Sequence, residues 1–246
     1  MCGFCCFSAI HMYHSHGFGI NASSRSGSGQ VKIGFLASFS CPGLSMNPTD
    51  ISELIRHRRT IKPITSSGEP NYQDRVIEPS VLDKLLDNAN WAPTHGLTEP
   101  WRFVIFQGDS RFTLAGFLAS TYQEHATEED FKPAKLEKIR LYAERATVAI
   151  ALGMQRHAGV IPAEEEVIAV ACAVQNIQLT AAALDLGTFW SSSPVYDLPA
   201  TREFFGWTGE NDRCLGILYA GYPANPWPER KHVQPEPITE KVEWRS

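Results

Sequence analysis

The chain has 246 residues, 43% hydrophobic and 20% charged, with a formal net charge of -5 at pH 7, long enough for one domain with a sizeable core. An acidic balance argues against nucleic acid as a partner, because phosphate binding wants a basic face. No apolar run approaches the roughly 20 residues of a bilayer-spanning helix, so no membrane is expected.

Residues 1–45 stand apart. They contain no Asp or Glu and carry only Arg25 and Lys32 as fixed charges, which leaves residues 46–246 with 20 basic and 27 acidic side chains, a net of -7. Cys2, Cys5, Cys6 and Cys41 fall in this prefix, without zinc-ligand spacing and without the charged-then-apolar order of a secretory signal. The segment reads as disordered or as non-native upstream sequence, with Met46 as the start of a single domain over 46–246. Cys172 and Cys214 lie in apolar surroundings and read as small hydrophobes in a reducing, cytoplasmic compartment.

From Met46 the pattern is regular. Asp50 and Glu53 have capping-box spacing, and Ile51, Leu54 and Ile55 form an apolar stripe for a first helix. That helix runs into Arg58-Arg59-Thr60-Ile61-Lys62-Pro63, where the proline forces the chain extended. Two arginines in a last turn suit the helix macrodipole. The same two forks, with the Thr60 hydroxyl, also make a phosphate clamp. Pro79 opens a second helix at its first position, with Leu82, Leu85, Leu86 and Ala89 at helical spacing. Pro93 ends it, and Thr94-His95-Gly96 turns into a central strand, Trp101–Phe106. Gly108-Asp109-Ser110 leads into a helix around Phe112–Thr121, and Glu128–Arg145 reads as a solvated helix or a lid. Thr147–Leu152 reads as a second strand. Ala163–Leu186 is the longest helix, with Gly187 as its C-terminal cap. Its middle, Ala169–Val174, is apolar on nearly every face and reads as buried all round, in the core or at a dimer interface. Thr188–Ser193 is a short strand or loop, a helix follows near Pro199–Phe205, and Cys214–Ala220 is the last strand. The proline-rich tail after Gly221, with Arg230-Lys231, needs a surface to lie on. No metal cluster, catalytic triad or phosphate-cradling glycine loop competes with these features.

Taken in order, the segments resemble the FMN-dependent nitroreductase family. Arg58-Arg59-Thr60-Ile61-Lys62 is similar to its Arg-Arg-Ser-x-Arg/Lys signature. Ala92-Pro93-Thr94-His95 with Glu99-Pro100-Trp101-Arg102-Phe103 is similar to its Ala-Pro-Ser/Asp…Gln-Pro-Trp-x-Phe motif. The Ala-rich helix, the Gly187–Trp190 turn and the Gly216–Pro223 strand follow as in the family. His95 and Trp190-Ser191 point to the small NAD(P)H nitroreductase branch. Glu99 departs from the family, which usually has Asn or Gln before Pro-Trp, and Trp91 and Ser191 depart from that branch, where Arg often stands at the first position and can stand at the second.

The resemblance implies an α+β fold: a mixed, mainly antiparallel sheet surrounded by helices, homodimeric through the long helix, with an exchanged C-terminal tail. It implies FMN at the dimer interface. Arg58, Arg59 and Thr60 would hold its phosphate and ribityl chain, with Arg230 and Lys231 finishing the phosphate site. Lys62 would lie at the pyrimidine edge, where a cation stabilises charge developing near N1. Trp91 and His95 would reach the flavin from the neighbouring subunit, and Phe189, Trp190 and Ser191 would line its ring. The implied activity is ping-pong hydride transfer from NADH or NADPH to an electron-poor small molecule such as a nitroaromatic or quinone, with no catalytic side chain beyond FMN. Dehalogenation or flavin fragmentation on the same scaffold, and a non-enzymatic FMN-binding protein, are the alternatives.

Overall fold

The computed structural model describes residues 47–228 and 235–245; the expectations for the 1–45 prefix and for Arg230 and Lys231 lie outside them. Helix α1 spans Pro48–His57. Its cap is Asn47, whose side chain accepts from the Thr49 N–H, so the helix starts ahead of the expected Asp50–Glu53 box. Helix α2 spans Pro79–Asn90, bounded by prolines as expected. Strand β1 is Trp101–Gln107, α3 is Ser110–His125, α4 is Pro133–Arg145 and β2 is Val148–Met154. The long helix α5 covers Ala163–Ala183. Strand β3 is Gly187–Ser191, α6 is Pro199–Phe204 and β4 is Arg213–Gly221.

The four strands pair in the order β1-β2-β4-β3, every pair antiparallel. The one parallel contact among the described residues is the isolated bridge from Thr60 to Thr188, so the mixed character expected of the sheet comes from the chain after α1. β1 is an edge strand, not a central one.

Alternation along β2 sorts the core into two layers. Val148, Ile150, Leu152 and Met154 face α2 and α5, packing with Leu82, Leu85, Ala89, Val170, Val174 and Ile177. Ala149 and Ala151 face the other way, toward Leu114, Leu118, Ile139 and Ala143 of α3 and α4. Burial of Ile139 and Ala143 shows that α4 is a packed helix, not a solvated one.

Within one chain a single face of α5 is buried: Ala169, Val170, Ala173, Val174 and Ile177 are covered, while Ile168 is 60% exposed and Cys172 half-buried. By length and composition α5 is also apolar enough to cross a membrane, although 44% of its most apolar window is buried inside this fold. Its stop signal is Asp185, in the left-handed region at φ 58°, with Leu186 N–H donating to the Ala181 carbonyl at 2.8 Å, a Schellman closure. Gly187 serves packing instead: a Cβ there would lie 2.9 Å from Ile61.

Candidate functional site

After α1 the chain runs extended beside β3. Ile61 N–H donates to the Thr188 carbonyl at 2.9 Å, the Tyr72 hydroxyl donates to the Ile61 carbonyl at 2.6 Å, and Asn71 Nδ2 donates to the Lys62 carbonyl at 3.0 Å. Ile61 and Pro63 are buried while Thr60 and Lys62 are exposed. The period-two alternation therefore gives Thr60 and Lys62 one open face, while Arg58 and Arg59, at the end of α1, are both half-buried. Arg58 and Thr60 make no side-chain hydrogen bond with a described residue, and the Lys62 ammonium lies 5.4 Å from the Phe189 ring centroid. Arg59 is engaged: its Nη1 donates to the carbonyls of Arg56 at 2.5 Å, His57 at 3.1 Å and Arg58 at 2.8 Å. That satisfies the orphan carbonyls at the end of α1 and leaves Nε and Nη2.

The β3 candidates divide between the two faces of the sheet. Phe189 packs edge-on to Tyr142, ring centroids 5.2 Å apart, on the α3–α4 side. Trp190 packs on the α5 side and donates from Nε1 to the Leu215 carbonyl at 3.0 Å. Ser191 is buried, its Oγ 3.5 Å from the Tyr196 hydroxyl. Because a strand alternates its side chains, Phe189 and Ser191 face one side of the sheet and Trp190 the other.

Where β3 ends, a cavity of about 570 Å³ opens among Ser192, Ser193, Asp197, Arg213, Cys214 and Gly216. Ser193 Oγ is buried there without a hydrogen-bond partner. Arg213 Nε donates to Asp197 Oδ2 at 3.3 Å, and the Cys214 N–H donates to Asp197 Oδ1 at 2.7 Å. Burial pushes the Cys214 thiol up to about 12. Sequence reading missed this cavity; the Ser191-Ser192-Ser193 run was its only local signal. A second cavity of about 800 Å³, between residues 70–79 and Gln107–Val148, contains none of the sequence candidates.

Trp91 and His95 lie elsewhere. Trp91 follows α2 and is 80% exposed. His95 Nδ1 is 2.5 Å from Glu165 Oε2 in the first turn of α5. Their loop enters β1 at Trp101, which pairs with Met154, whereas Thr188 is level with Ala220, Val148 and Gln107. The two groups thus occupy diagonal corners of the sheet, about 14 Å apart across three strand spacings and about 20 Å along β1. One chain does not bring them together.

Sequence reading also missed Glu166. Its fully buried carboxylate accepts from Arg156 Nη1 at 2.6 Å, and lies 2.9 Å from His157 Nδ1 and 3.1 Å from the His157 N–H. Among the described residues no group of three His, Cys, Asp or Glu is placed to hold a metal.

The model of the nitroreductase family matches residues 55–222. A protein of Escherichia coli (strain K12), provisionally named NAD(P)H nitroreductase YdjA, is 27% identical over 177 residues, 71% of this chain and 88% of its own length. A nitroreductase-like family protein from Bacillus cereus superposes with TM-score 0.65 at 30% identity, covering 82% of this chain and 99% of its own. A provisionally named nitroreductase from Desulfovibrio desulfuricans, solved in complex with FMN, superposes with TM-score 0.58 at 22% identity, covering 82% of this chain and 99% of its own. With its order of helices and strands thus paralleled and most of its length matched, the chain belongs to the nitroreductase family.

Proposed function

We propose that the protein is an FMN-dependent NAD(P)H oxidoreductase that reduces electron-poor small molecules and works as a homodimer with FMN between the subunits. The observation that carries this reading is the strip Arg58–Lys62, pinned to β3: a half-buried guanidinium, an exposed hydroxyl and an exposed ammonium, all without hydrogen-bond partners among the described residues. The donor set suits an elongated anionic ligand. Two-pronged donation from Arg58 and the Thr60 hydroxyl matches phosphate oxygens. β3 spans about 13 Å from there to the cavity in which Ser193 Oγ lacks a partner.

When bound, FMN supplies the redox step, taking hydride from NADH or NADPH and passing it to the acceptor. Lys62 supports charge at the pyrimidine edge, and Phe189 sets the position of Lys62 through the cation–π contact. Arg59 holds the end of α1, next to Arg58. Arg230 and Lys231 complete the phosphate site; support comes from Trp227, three residues earlier, whose Nε1 donates to the His57 carbonyl at 2.8 Å. Three residues of chain reach at most about 11 Å. Trp91 and His95 belong to the site formed by the other subunit, which their diagonal separation from Arg58 supports. The uncovered face of α5 with Ile168, together with exposed Ile51 and Ile55 of α1, supports burial against a second copy. Every described residue of 235–245 is exposed, which supports a tail that lies on that copy.

The test is an absorption spectrum of purified protein before and after anaerobic NADH, then NADPH. Yellow protein that bleaches and recolours with a nitroaromatic or quinone is the expected result. Yellow protein that does not bleach moves the function to dehalogenation, flavin fragmentation or simple FMN binding. Protein that cannot take up FMN overturns the reading.

A further inference from the structure

Consecutive carboxylates in the first turn of α5 hold histidines from two different loops. Glu166 takes His157, which follows β2, at 2.9 Å. Glu165 takes His95, which precedes β1, at 2.5 Å. An ionised carboxylate only accepts hydrogen bonds, so the proton of each neutral ring sits on Nδ1 and Nε2 is bare. For His157 the arrangement is enclosed, since Glu166 is fully buried. For His95 it is open: 68% of its side chain is exposed, and Nε2 is the nitrogen left for a ligand.

The loop that carries His95 does not hold its shape by intrinsic preference. Gly96, Leu97 and Glu99 have φ of 63°, 53° and 44°, and left-handed backbone at a leucine and a glutamate is costly without outside support. Internal ties are modest: Thr94 Oγ1 to Thr98 Oγ1 at 3.2 Å and the Glu99 N–H to Thr94 Oγ1 at 3.3 Å. Among the described residues, the side-chain hydrogen bond from this loop to α5 is His95–Glu165. Gly96 adds close packing, since a Cβ there would lie 3.4 Å from Val160 and 3.5 Å from Ile161.

We propose that Glu165 is a positioning residue: it fixes His95 as the Nδ1–H tautomer and turns Nε2 outward as the atom offered to the FMN of the neighbouring subunit. This rests on the FMN reading above. Glu165 touches no cofactor, so it acts only through His95. An exposed His–Glu pair adds little to folding stability, which separates this role from a structural one.

The test uses the full chain labelled with ¹⁵N-histidine, observed at pH 8 by long-range ¹H–¹⁵N spectra, with His95→Ala giving the assignment. Wild type and Glu165→Gln, whose amide oxygen still accepts, are expected to show protonated Nδ1 and bare Nε2. Glu165→Ala is expected to move to the Nε2–H form. In FMN titrations Glu165→Ala should bind about five- to tenfold more weakly and Glu165→Gln within about twofold of wild type. Glu165→Ala/His95→Ala should bind no more weakly than His95→Ala alone, since both changes remove one device. Wild-type His95 protonated on Nε2, or losses from the two single variants that multiply in the double, overturns the proposal. So does wild-type FMN uptake that Glu165→Ala leaves unchanged. If Glu165→Ala does not fold, the wild-type and Glu165→Gln spectra and titrations decide the question. A wild-type protein that takes up no FMN fails the oxidoreductase reading itself, and overturns the role of Nε2 whatever the tautomer.

Discussion

The Trp227 indole lies flat against the His57 imidazole, ring centroids 4.9 Å apart and planes 9° apart, while its Nε1 donates to the His57 carbonyl at 2.8 Å. Arg59 Nη1 uses the same carbonyl. The chain beyond β4 is therefore fastened to the end of α1 by stacking and by a hydrogen bond. Trp227→Phe keeps an aromatic plane and deletes the donor. The expected loss is about 1 kcal/mol, read as a lower melting temperature, with faster proteolysis in the segment after Pro223.

Arg58 and Arg59 should separate cleanly. Arg58→Ala is expected to weaken FMN binding from about tenfold to somewhat more than a hundredfold, the range of about 1.5–3 kcal/mol for a charge-assisted bond, with little change in melting. Arg59→Ala exposes the carbonyls that end α1 and should cost about 1 kcal/mol of stability, with the smaller effect on FMN. Fluorescence titration of FMN and thermal unfolding check the pair. Stoichiometric FMN carried through gel filtration by the double variant would remove the phosphate assignment.

Among the ion-paired carboxylates of the described residues, Glu166 is the one that is fully buried. Glu166→Ala leaves Arg156, whose side chain is 16% exposed, without its carboxylate, and is expected to cost about 3–5 kcal/mol in urea unfolding. Replacing both Glu166 and Arg156 by apolar residues should cost less than Glu166→Ala alone.

Alkaline pH should destabilise the fold. Burial raises the Tyr72 and Tyr219 phenols well above 10.0 and the Cys214 thiol from 9.0 to about 12. In the unfolded chain these groups lose protons from about pH 9 (the thiol) and pH 10 (the phenols) upward, while the native state still holds them. The native state then binds more protons, so stability is fully present below about pH 9 and is lost as pH rises toward the native values. Each group contributes at most about 1.4 kcal/mol per pH unit in that window. Tyr219→Phe removes one such group together with a buried hydroxyl lacking a partner. It should flatten the alkaline limb without lowering stability at pH 7, as followed by denaturant midpoints from pH 7 to 11.

Much of the fold is local enough to read from the chain. Prolines at 79 and 93 mark α2 and its exit, and apolar spacing gives the sheet strands and α5. Errors arose where local signals compete. Asn47 outranks Asp50 as a cap because its side chain reaches Thr49, and Asp185 takes the left-handed position while Gly187 makes room for Ile61. The site was legible as residue types but not as faces. Only the carbonyls at the end of α1 show that Arg59 turns back on the helix, and only alternation along β3 separates Phe189 from Trp190. The partners of Glu166 come from another element, so its Glu164-Glu165-Glu166 run looks like an ordinary acidic helix start.

The diagonal placement of Arg58 and His95 has a genetic consequence in the proposed dimer. A chain damaged at Arg58 keeps a sound His95 loop, and a chain damaged at His95 keeps a sound Arg58 strip. Mixed dimers of Arg58→Ala and His95→Ala chains would carry both lesions in one site and none in the other. Two variants that each bind FMN weakly, co-expressed in one cell, should then regain one tight site, half the wild-type number, per mixed dimer, whereas two lesions on the same side of the sheet, such as Arg58→Ala with Lys62→Ala, should never complement.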